Sequence, residues 1–298
     1  MVLWCFNGLA QSFLWPPIVR LMASLFEEKE YQKVTTAVVR GGSIGTVLIY
    51  LLSPLWILIS GWRLVFWISA TLGTGMLFVW LRLCPDIKQE PGMKEGRSES
   101  GMQFLKSPLI WGIMVAIVLQ GALKDGVTTW MPSYISETFR FSNSASILSG
   151  ILLPVLAILS VQAASYLYSR RSKAPLFSSG AIFLLGAVMA VLLRCFSGKN
   201  AVGSIICMAM LSGCMHGVNL ILVCILPVFF KSSGRVSTVS GVLNSCTYVG
   251  SAVSVYGIAR MAEHSGWNAT IVLWIFLALG GMILCLTGIP AWKKRFGR

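Results

Sequence analysis

Charged residues are scarce in this chain of 298 residues, and acidic residues are the scarcest. Only 11% of the residues are charged, 56% are hydrophobic, and the mean hydropathy is +0.77. Soluble domains carry about 25% charged residues, so a soluble enzyme, a disordered chain and a nucleic-acid-binding module are poor fits. The 24 basic residues outnumber the 10 acidic ones, but they lie in short breaks between apolar runs and therefore do not indicate a nucleic-acid partner.

The chain also lacks the motifs that an enzyme or a metalloprotein would need. It has no phosphate-binding glycine loop, no nucleophile elbow and no metal-ligand cluster, and its eight cysteines include no C-x-x-C pair. We therefore expect neither catalysis nor a bound metal or cofactor. The cysteines are interpreted as small apolar packing residues. The first 15 residues lack the basic start and the small-residue cleavage site of a secretory signal.

Long apolar runs dominate the sequence and predict an all-α, membrane-spanning fold. About 20 apolar residues cross a bilayer as a helix, and a helix satisfies its own backbone polar groups in lipid. One long polar stretch, 85–107, carries two prolines and three glycines and divides three predicted spans from six. The nine spans lie at approximately 2–25, 35–60, 62–83, 108–134, 143–168, 174–195, 201–228, 236–260 and 267–290.

This spacing predicts three parts: a partial N-terminal bundle of three helices at 1–84, a cytoplasmic linker at 85–107 and a C-terminal six-helix bundle at 108–298. Alternating spans place most lysines and arginines on the linker's side. The positive-inside rule then puts the linker and the C-terminus on the cytoplasmic side of the plasma (inner) membrane.

Three spans, a linker and six spans would become symmetric if three more spans preceded them, as in transporters built from two six-span halves. We therefore expect that three spans of an intact parent are missing.

Polar side chains recur every four residues in the first span. Asn7, Gln11 and Trp15 share one helical face, and their polar groups either line a cavity or bond to neighbouring helices. Pro16 and Pro17 follow at once and are expected to bend the helix.

Small residues in several spans predict close helix packing. Gly41 and Gly45 form a small-x-x-x-small pair in the second span, and Gly213 and Gly217 repeat it in the seventh. The eighth span carries a dense small-residue face over 237–257, which suits tight packing against another helix.

Two adjacent charges, Lys124 and Asp125, stand deep inside the span 108–134. A charge at the bilayer centre costs about 2.5–3.5 kcal/mol, so it should face a polar cavity or a partner. The two charges could neutralise each other, but adjacent helical positions point about 100° apart. We therefore expect each to face a different helix or the cavity, with Lys124 meeting a substrate anion.

The other candidate polar residues lie in the seventh and eighth spans. His216 and Asn219 lie in the middle of the seventh, and Asn244, Thr247 and Tyr248 lie in the eighth. His216 is either a hydrogen-bonded structural residue or a group that titrates near neutral pH and assists proton coupling.

Several of these residues resemble motifs of a known family. The first span resembles the fourth helix of the organophosphate:phosphate antiporters of the major facilitator superfamily, which include bacterial glycerol-3-phosphate and hexose-phosphate transporters. The likeness covers helices four to twelve of a twelve-helix fold. The matching residues are Asn7, Gly8, Gln11, Ser12, Trp15, Pro16, Pro17 and Arg20 in the fourth helix; Leu123, Lys124, Asp125, Gly126, Trp130, Pro132 and Tyr134 in the seventh; Gly241, Tyr248, Val249, Gly250 and Ser251 in the eleventh; and Gly266 and Trp267 at the start of the twelfth.

The resemblance implies a secondary transporter that exchanges a small organic anion by rocking two halves about a central site. The family binds substrate phosphate with one arginine from its first helix, which has no counterpart here, and one from its seventh. The seventh-helix position is Lys124, which keeps the charge without the guanidinium fork. Trp15, His216 and Tyr248 fall at cavity positions. Val38, Val39 and Gly42 replace a family aromatic-Asn pair and a histidine, so glycerol-3-phosphate is not implied as the substrate.

These arguments give one set of expectations. The function is secondary active transport of a phosphorylated or carboxylated metabolite, with a transporter-like membrane sensor of sugar phosphates or an inactive truncated fragment as alternatives. The partners are a small anionic substrate and the lipid bilayer, without nucleic acid, and the protein is expected to be a monomer. The candidate substrate-binding residues are Lys124, Asp125, Trp15, His216, Tyr248, Asn7, Gln11 and Asn244.

Overall fold

The computed structural model describes Phe6, Ala10 and residues 14–84, 107–141, 149–171 and 174–297. These residues form helices and connecting turns, without a strand, which confirms the predicted all-α class. The predicted linker lies almost entirely outside the described residues. The helices are α1 (Trp15–Leu25), α2 (Glu28–Ser60), α3 (Trp62–Leu83), α4 (Pro108–Phe139), α5 (Leu152–Arg171), α6 (Pro175–Phe196) and α7 (Ala201–Asn219). The chain continues through a π-helical stretch (Leu220–Ile225), a 3-10 stretch (Leu226–Ser233) and a last helical stretch (Val236–Phe296).

The last stretch consists of two helices, because its backbone breaks at Gly266 with φ 77° and ψ 170°. Gly61 has φ 75° at the turn between α2 and α3. Glycine adopts positive φ at little cost because it has no Cβ, so these two positions allow a chain to reverse between helices. We name the two parts of the last stretch α8 (236–265) and α9 (267–296).

Most of the described helices are long enough to cross a bilayer, whereas α1 has 11 residues. Seven helical stretches have the length and apolar character of a membrane span, and one of these contains both α8 and α9. Each of those two has about 30 residues, or about 45 Å at 1.5 Å per residue. α2 begins seven residues before the predicted start of its span at 35, because hydropathy marks only the apolar part of a helix whose first turns are polar.

One face of the molecule holds the end of α3 and the start of α4, and we call it the linker face. The ends of α1 and α5 and the starts of α2, α6 and α8 lie there too, because each span reverses direction. The opposite face, which holds the turn between α2 and α3, is called the far face.

The main hydrophobic core lies within α4 to α9, with the largest fully buried side chains at Trp274, Trp292, Tyr134 and Phe183. A second apolar cluster joins α1, α2 and the start of α8 near the linker face. Its buried members are Val19, Met22, Ala23, Tyr31 and Val236. By contrast, α3 has no buried side chain among the described residues.

Glycines bring the backbones of α4 and α8 into direct contact. A Cβ on Gly121 would collide with the carbonyl oxygen of Thr247, and a Cβ on Gly250 would collide with the carbonyl oxygen of Val118. The tight packing predicted for the small-residue face of the eighth span is therefore confirmed.

The predictions for the two glycine pairs have different outcomes. Gly213 and Gly217 pack against α5, since a Cβ at Gly217 would lie 3.0 Å from the Cβ of Ala164, and this prediction is confirmed. The prediction for Gly41 and Gly45 is not met within the described ranges, where no atom lies within 4 Å of either Cβ position. Both glycines lie on a part of α2 with an exposed surface.

Candidate functional site

The candidate site is centred on α4, midway along its length. Lys124 lies one turn after Gln120 and one turn before Thr128, so the three share a stripe of the helix. The Gln120 side-chain amide donates to the carbonyl of Met215 at 3.1 Å, and the Thr128 hydroxyl lies 3.0 Å from the Ser212 hydroxyl. Since both partners are on α7, this stripe faces α7.

Lys124 and Asp125 form an ion pair, with 3.4 Å between Nζ and Oδ1. The expectation that the two charges would face different directions is therefore wrong. The 100° between adjacent positions applies to the Cα–Cβ bonds, whereas the four-carbon stem of lysine can bend back along the helix. The side chains remain 18% and 30% exposed, so the pair is neither sealed in the core nor fully open.

Between residues 120 and 128 of α4 and between residues 211 and 219 of α7, every partly exposed position is polar and the apolar positions are buried. Lys124, Asp125 and Thr128 are half-buried on α4, as are His216 and Asn219 on α7. Surfaces that face lipid tails show the opposite pattern, since an ionisable group there is costly. We call these five residues the polar groove. The fully buried apolar neighbours are Leu123, Val127, Met215 and Val218.

His216 lies on the stretch of α7 that faces the Lys124 stripe, since it follows Met215 and stands one turn after Ser212. Among the described residues its imidazole makes no hydrogen bond, so nothing there supports the interpretation of His216 as a hydrogen-bonded structural residue. Of the predicted site residues that the structure describes, Lys124 and Asp125 are in contact, and His216 lies on the helix that the Lys124 stripe faces.

Trp15 lies between the first helices and the main core. It begins α1, is half-buried and packs against both apolar clusters. Its indole N–H is buried and has no hydrogen-bond partner among the described residues, so a donor is available there. Asn7 and Gln11 lie outside the described residues, and the predicted stripe of the first span remains a prediction. Pro16 and Pro17 stand in the first turn of the described helix.

Asn244 and Tyr248 lie one turn apart on α8. The face of α8 that carries Thr247, Gly250 and Ser254 packs on α4, where the Ser254 hydroxyl donates to the carbonyl of Ala122 at 2.7 Å. Asn244 is half-buried and Tyr248 is 60% exposed. In the described part of the chain no hydrogen bond joins either of them to Lys124 or Asp125.

Sequence reasoning missed two groups of polar residues. Gln120, Thr128 and Ser212 support the polar groove, and the spacing of Gln120 and Thr128 four residues on either side of Lys124 could have revealed the first two. The second group links α2 to α5 near the linker face through Gln32, Thr36, Ser165 and Ser169. Polar residues are ordinary near the ends of spanning helices, so no sequence signal marked them.

Comparison with known proteins places this fold in a family. The profile of the Major Facilitator Superfamily matches residues 1–255. A protein of Chlamydia pneumoniae named "Probable hexose phosphate transport protein" is 21% identical over 97% of this chain and 70% of its own length. A protein of the same name in Chlamydia trachomatis serovar D is also 21% identical, over 98% of this chain and 70% of its own length.

Two further similarities are more distant. The chloroplastic ascorbate transporter of Arabidopsis thaliana is 22% identical over 49% of this chain and 30% of its own length. A crystal structure of a bacterial homologue of the iron transporter ferroportin, in an outward-facing state, superposes with a TM-score of 0.62 at 15% identity. The superposition covers 92% of this chain and 67% of the chain in that crystal structure. The likeness concerns the fold alone. The chain is thus a multi-pass membrane protein that belongs to the major facilitator superfamily, a family of transporters and not of enzymes.

Proposed function

We propose that this protein is a secondary active transporter of a small organic anion, a phosphorylated or carboxylated metabolite, that works as an antiporter. Two relatives with names that refer to hexose phosphate transport support a phosphorylated substrate. The observation that carries the proposal is the ion pair of Lys124 and Asp125 in the polar groove, halfway along a membrane-spanning helix.

The ion pair suggests how an anion would bind. In the empty groove the Asp125 carboxylate neutralises Lys124. A phosphate or carboxylate of the substrate would replace Asp125 as the partner of the ammonium, which acts as a point charge and accepts one anionic oxygen at a time. Asp125 is then the counter-charge that is displaced on binding and restored on release.

The neighbouring residues would complete the site. His216 adds an imidazole ring on the stretch of α7 that faces Lys124, and Trp15 offers an indole N–H that has no partner among the described residues. We retain Asn7, Gln11, Asn244 and Tyr248 as proposed lining residues. Exchange across the membrane requires that the substrate bind the two conformations with different affinities. A site to which α1 and the helices of the polar groove both contribute would change when these helices move relative to one another, and the affinity would change with it.

We further propose the orientation and organisation that the basic residues favour. The linker and the C-terminus would lie in the cytoplasm of a plasma membrane, with α1 to α3 as part of an N-terminal bundle and α4 to α9 as a C-terminal bundle. Lys293, Lys294 and Arg295 at the end of α9 support this orientation, because cytoplasmic ends are rich in basic residues.

The first test is the replacement of Lys124. In proteoliposomes, Lys124→Ala should reduce counterflow of labelled hexose phosphate by about 10- to 100-fold, because one charge-assisted contact contributes about 1.5–3 kcal/mol. Lys199→Ala is the matched control, since it removes an exposed cation in the turn before α7, and it should transport normally. Normal counterflow by Lys124→Ala would refute the role of Lys124. Binding without counterflow by the unmodified chain would favour a sensor or an inactive fragment.

A further inference from the structure

A cavity of about 400 Å³ lies between α2, α5 and the π-helical and 3-10 stretches, near the linker face. We call it the α2–α5 cavity. Eight of its ten described lining residues have polar side chains, and the other two are Ile225 and Val228. Ligand-binding pockets commonly enclose about 300–1,000 Å³, so the cavity is large enough for a small polar group. The polar groove shares none of these residues.

Several polar groups of the lining are already paired within the protein. The side-chain amide of Gln32 donates to the hydroxyls of Ser165 at 3.1 Å and of Ser169 at 2.6 Å. The Tyr31 hydroxyl donates to the carbonyl of Cys224 at 2.7 Å. These bonds hold the walls of the cavity together, so a ligand would be bound by other groups of the lining.

Three lining side chains keep N–H or O–H donors that bond to no described residue. These are the ammonium of Lys33, the side-chain amide nitrogen of Gln162 and the hydroxyl of Tyr166, and all three side chains are exposed. Glu30 lies one turn before Lys33 on α2 but is not part of the described lining. A cation and two neutral donors without acceptors favour a ligand with several anionic oxygens, such as a phosphate.

Further cations lie at the edge of the α2–α5 cavity. The Arg40 guanidinium donates to the side-chain oxygen of Gln162 at 3.4 Å. The guanidinium carbon of Arg170 lies 5.3 Å from the centre of the Tyr166 ring. Together with Lys33 they give three positive charges around a described lining that includes no carboxylate. This charge favours an anion over a zwitterionic ligand.

The cavity lies at the depth of lipid headgroups. Lys33 is the sixth residue of α2, and Arg170 is the last residue but one of α5. Both positions are close to helix ends at the linker face, and both helices are long and apolar enough to cross a bilayer. Tyrosine is enriched at the membrane–water interface, and basic pockets between spanning helices bind anionic headgroups there.

The exposed stripe of α5 has the same order of chemistry as a phospholipid. From the linker face inwards it presents Arg170, Tyr166, Gln162, Leu159 and Val155, at spacings of three or four residues. Leu159 is 60% exposed and Val155 is 38% exposed. A phosphate at the edge of the cavity would leave acyl chains to lie along these apolar side chains, whereas a water-soluble anion would make no use of them.

We propose that the α2–α5 cavity binds the headgroup of an anionic phospholipid. The Lys33 ammonium and the Gln162 amide would bind the phosphate oxygens, and the acyl chains would lie outside the cavity along α5. Because this site shares no residue with the polar groove, the proposal does not depend on the role of Lys124 in transport.

Native mass spectrometry of the full chain in detergent tests the lipid site. The first molecule of dioleoylphosphatidylglycerol should bind more tightly than the first molecule of zwitterionic dioleoylphosphatidylcholine. Lys33→Gln should weaken the binding of the first phosphatidylglycerol by about 3- to 10-fold, because it removes one cation near the membrane surface. Equal binding of the two lipids, or unchanged binding in Lys33→Gln, would overturn the proposal.

Two variants separate this site from general attraction to a basic surface. Lys293→Gln is the matched control, since Lys293 is an exposed cation of α9 at the linker face that is not part of the described lining. Lys293→Gln should bind phosphatidylglycerol normally, and Lys33→Arg should do so too, because it keeps the charge at an exposed position. An equal loss in Lys33→Gln and Lys293→Gln would count against the cavity.

Two further measurements locate the lipid and distinguish it from a soluble anion. In proteoliposomes, a phosphatidylglycerol with a photoactivatable diazirine in its acyl chain should cross-link to the peptide that contains Val155 and Leu159, and less so in Lys33→Gln. Cross-linking confined to other peptides would overturn the site. Millimolar inorganic phosphate should displace phosphatidylglycerol no more than sodium chloride of equal ionic strength does. Complete displacement by phosphate alone would show a site for soluble anions and refute the lipid site.

Discussion

At the scale of single residues, the central feature is a cation that already has an anionic partner. Lys124 lies 3.4 Å from Asp125, and the partial exposure of both side chains means that water weakens their attraction. A substrate anion therefore competes with a weakly held carboxylate, so the empty site is neutral and the occupied site carries the net negative charge of the substrate.

This competition predicts that removal of Asp125 strengthens binding. Asp125→Asn should lower the dissociation constant for hexose phosphate by about 2- to 5-fold, because the substrate no longer displaces a partner of Lys124. Calorimetric titration of the purified protein measures the constant. Glu263→Gln, which removes an exposed carboxylate of α8, should bind as the unmodified chain does. Weaker binding by Asp125→Asn would show that Asp125 itself contacts the substrate.

The sequence predicted the position of this pair but not its geometry. Two charges inside an apolar run indicated a functional site at Lys124 and Asp125, since the cost of a charge in lipid is large. Their contact depends on the rotamer of a flexible side chain, which helical spacing does not determine. For Asn244 and Tyr248 the sequence identified polar residues of the eighth span, but it did not specify which helix they would face.

At the scale of helices, the contact between α4 and α8 fixes the position of the site. Gly121 and Gly250 lie where the two backbones meet, and the Ser254 hydroxyl donates to the carbonyl of Ala122, two residues before Lys124. Packing at this crossing therefore determines how α4 presents Lys124 and Asp125 to the groove.

A pair of glycine variants on α8 tests this contact. Gly250→Ala should lower the thermal unfolding midpoint in detergent by about 3–10 °C, because its Cβ would collide with the carbonyl oxygen of Val118. Gly257→Ala is the matched control, since no described atom lies within 4 Å of its Cβ position. It should keep or raise the midpoint, because alanine favours helix. Equal destabilisation of both variants would contradict the close crossing.

Apolar runs and glycines predicted the helices well. The break between α8 and α9 falls inside the predicted gap between 260 and 267, where Gly266 takes a positive φ. The polar first turns of α2 escaped prediction, because they extend beyond the apolar part of the span. The packing of Gly213 and Gly217 was also predicted, whereas the identical spacing of Gly41 and Gly45 has no described partner; spacing alone does not specify whether a neighbour is present.

At the scale of the whole molecule, the first helices meet the later ones near the linker face, through hydrogen bonds between α2 and α5 and through the apolar cluster of α1, α2 and α8. The Tyr31 hydroxyl donates to the carbonyl of Cys224 at this end, while apolar side chains of α2 and α5 are exposed nearer the far face. No property of the sequence revealed this asymmetry, since it arises from which conformation the packed helices adopt. The family resemblance supplied the fold, and the structure supplies these contacts.

The claim on which all of this depends is that Lys124 holds an anion in a groove that water reaches. Asn219→Cys, on the α7 side of the polar groove, tests it with an impermeant thiol reagent in proteoliposomes and with hexose phosphate as a protectant. We predict that position 219 is labelled, that hexose phosphate slows its labelling, and that Lys124→Ala abolishes this protection while Lys199→Ala retains it. A cysteine at 219 that stays unlabelled, or protection that persists in Lys124→Ala, would contradict the account.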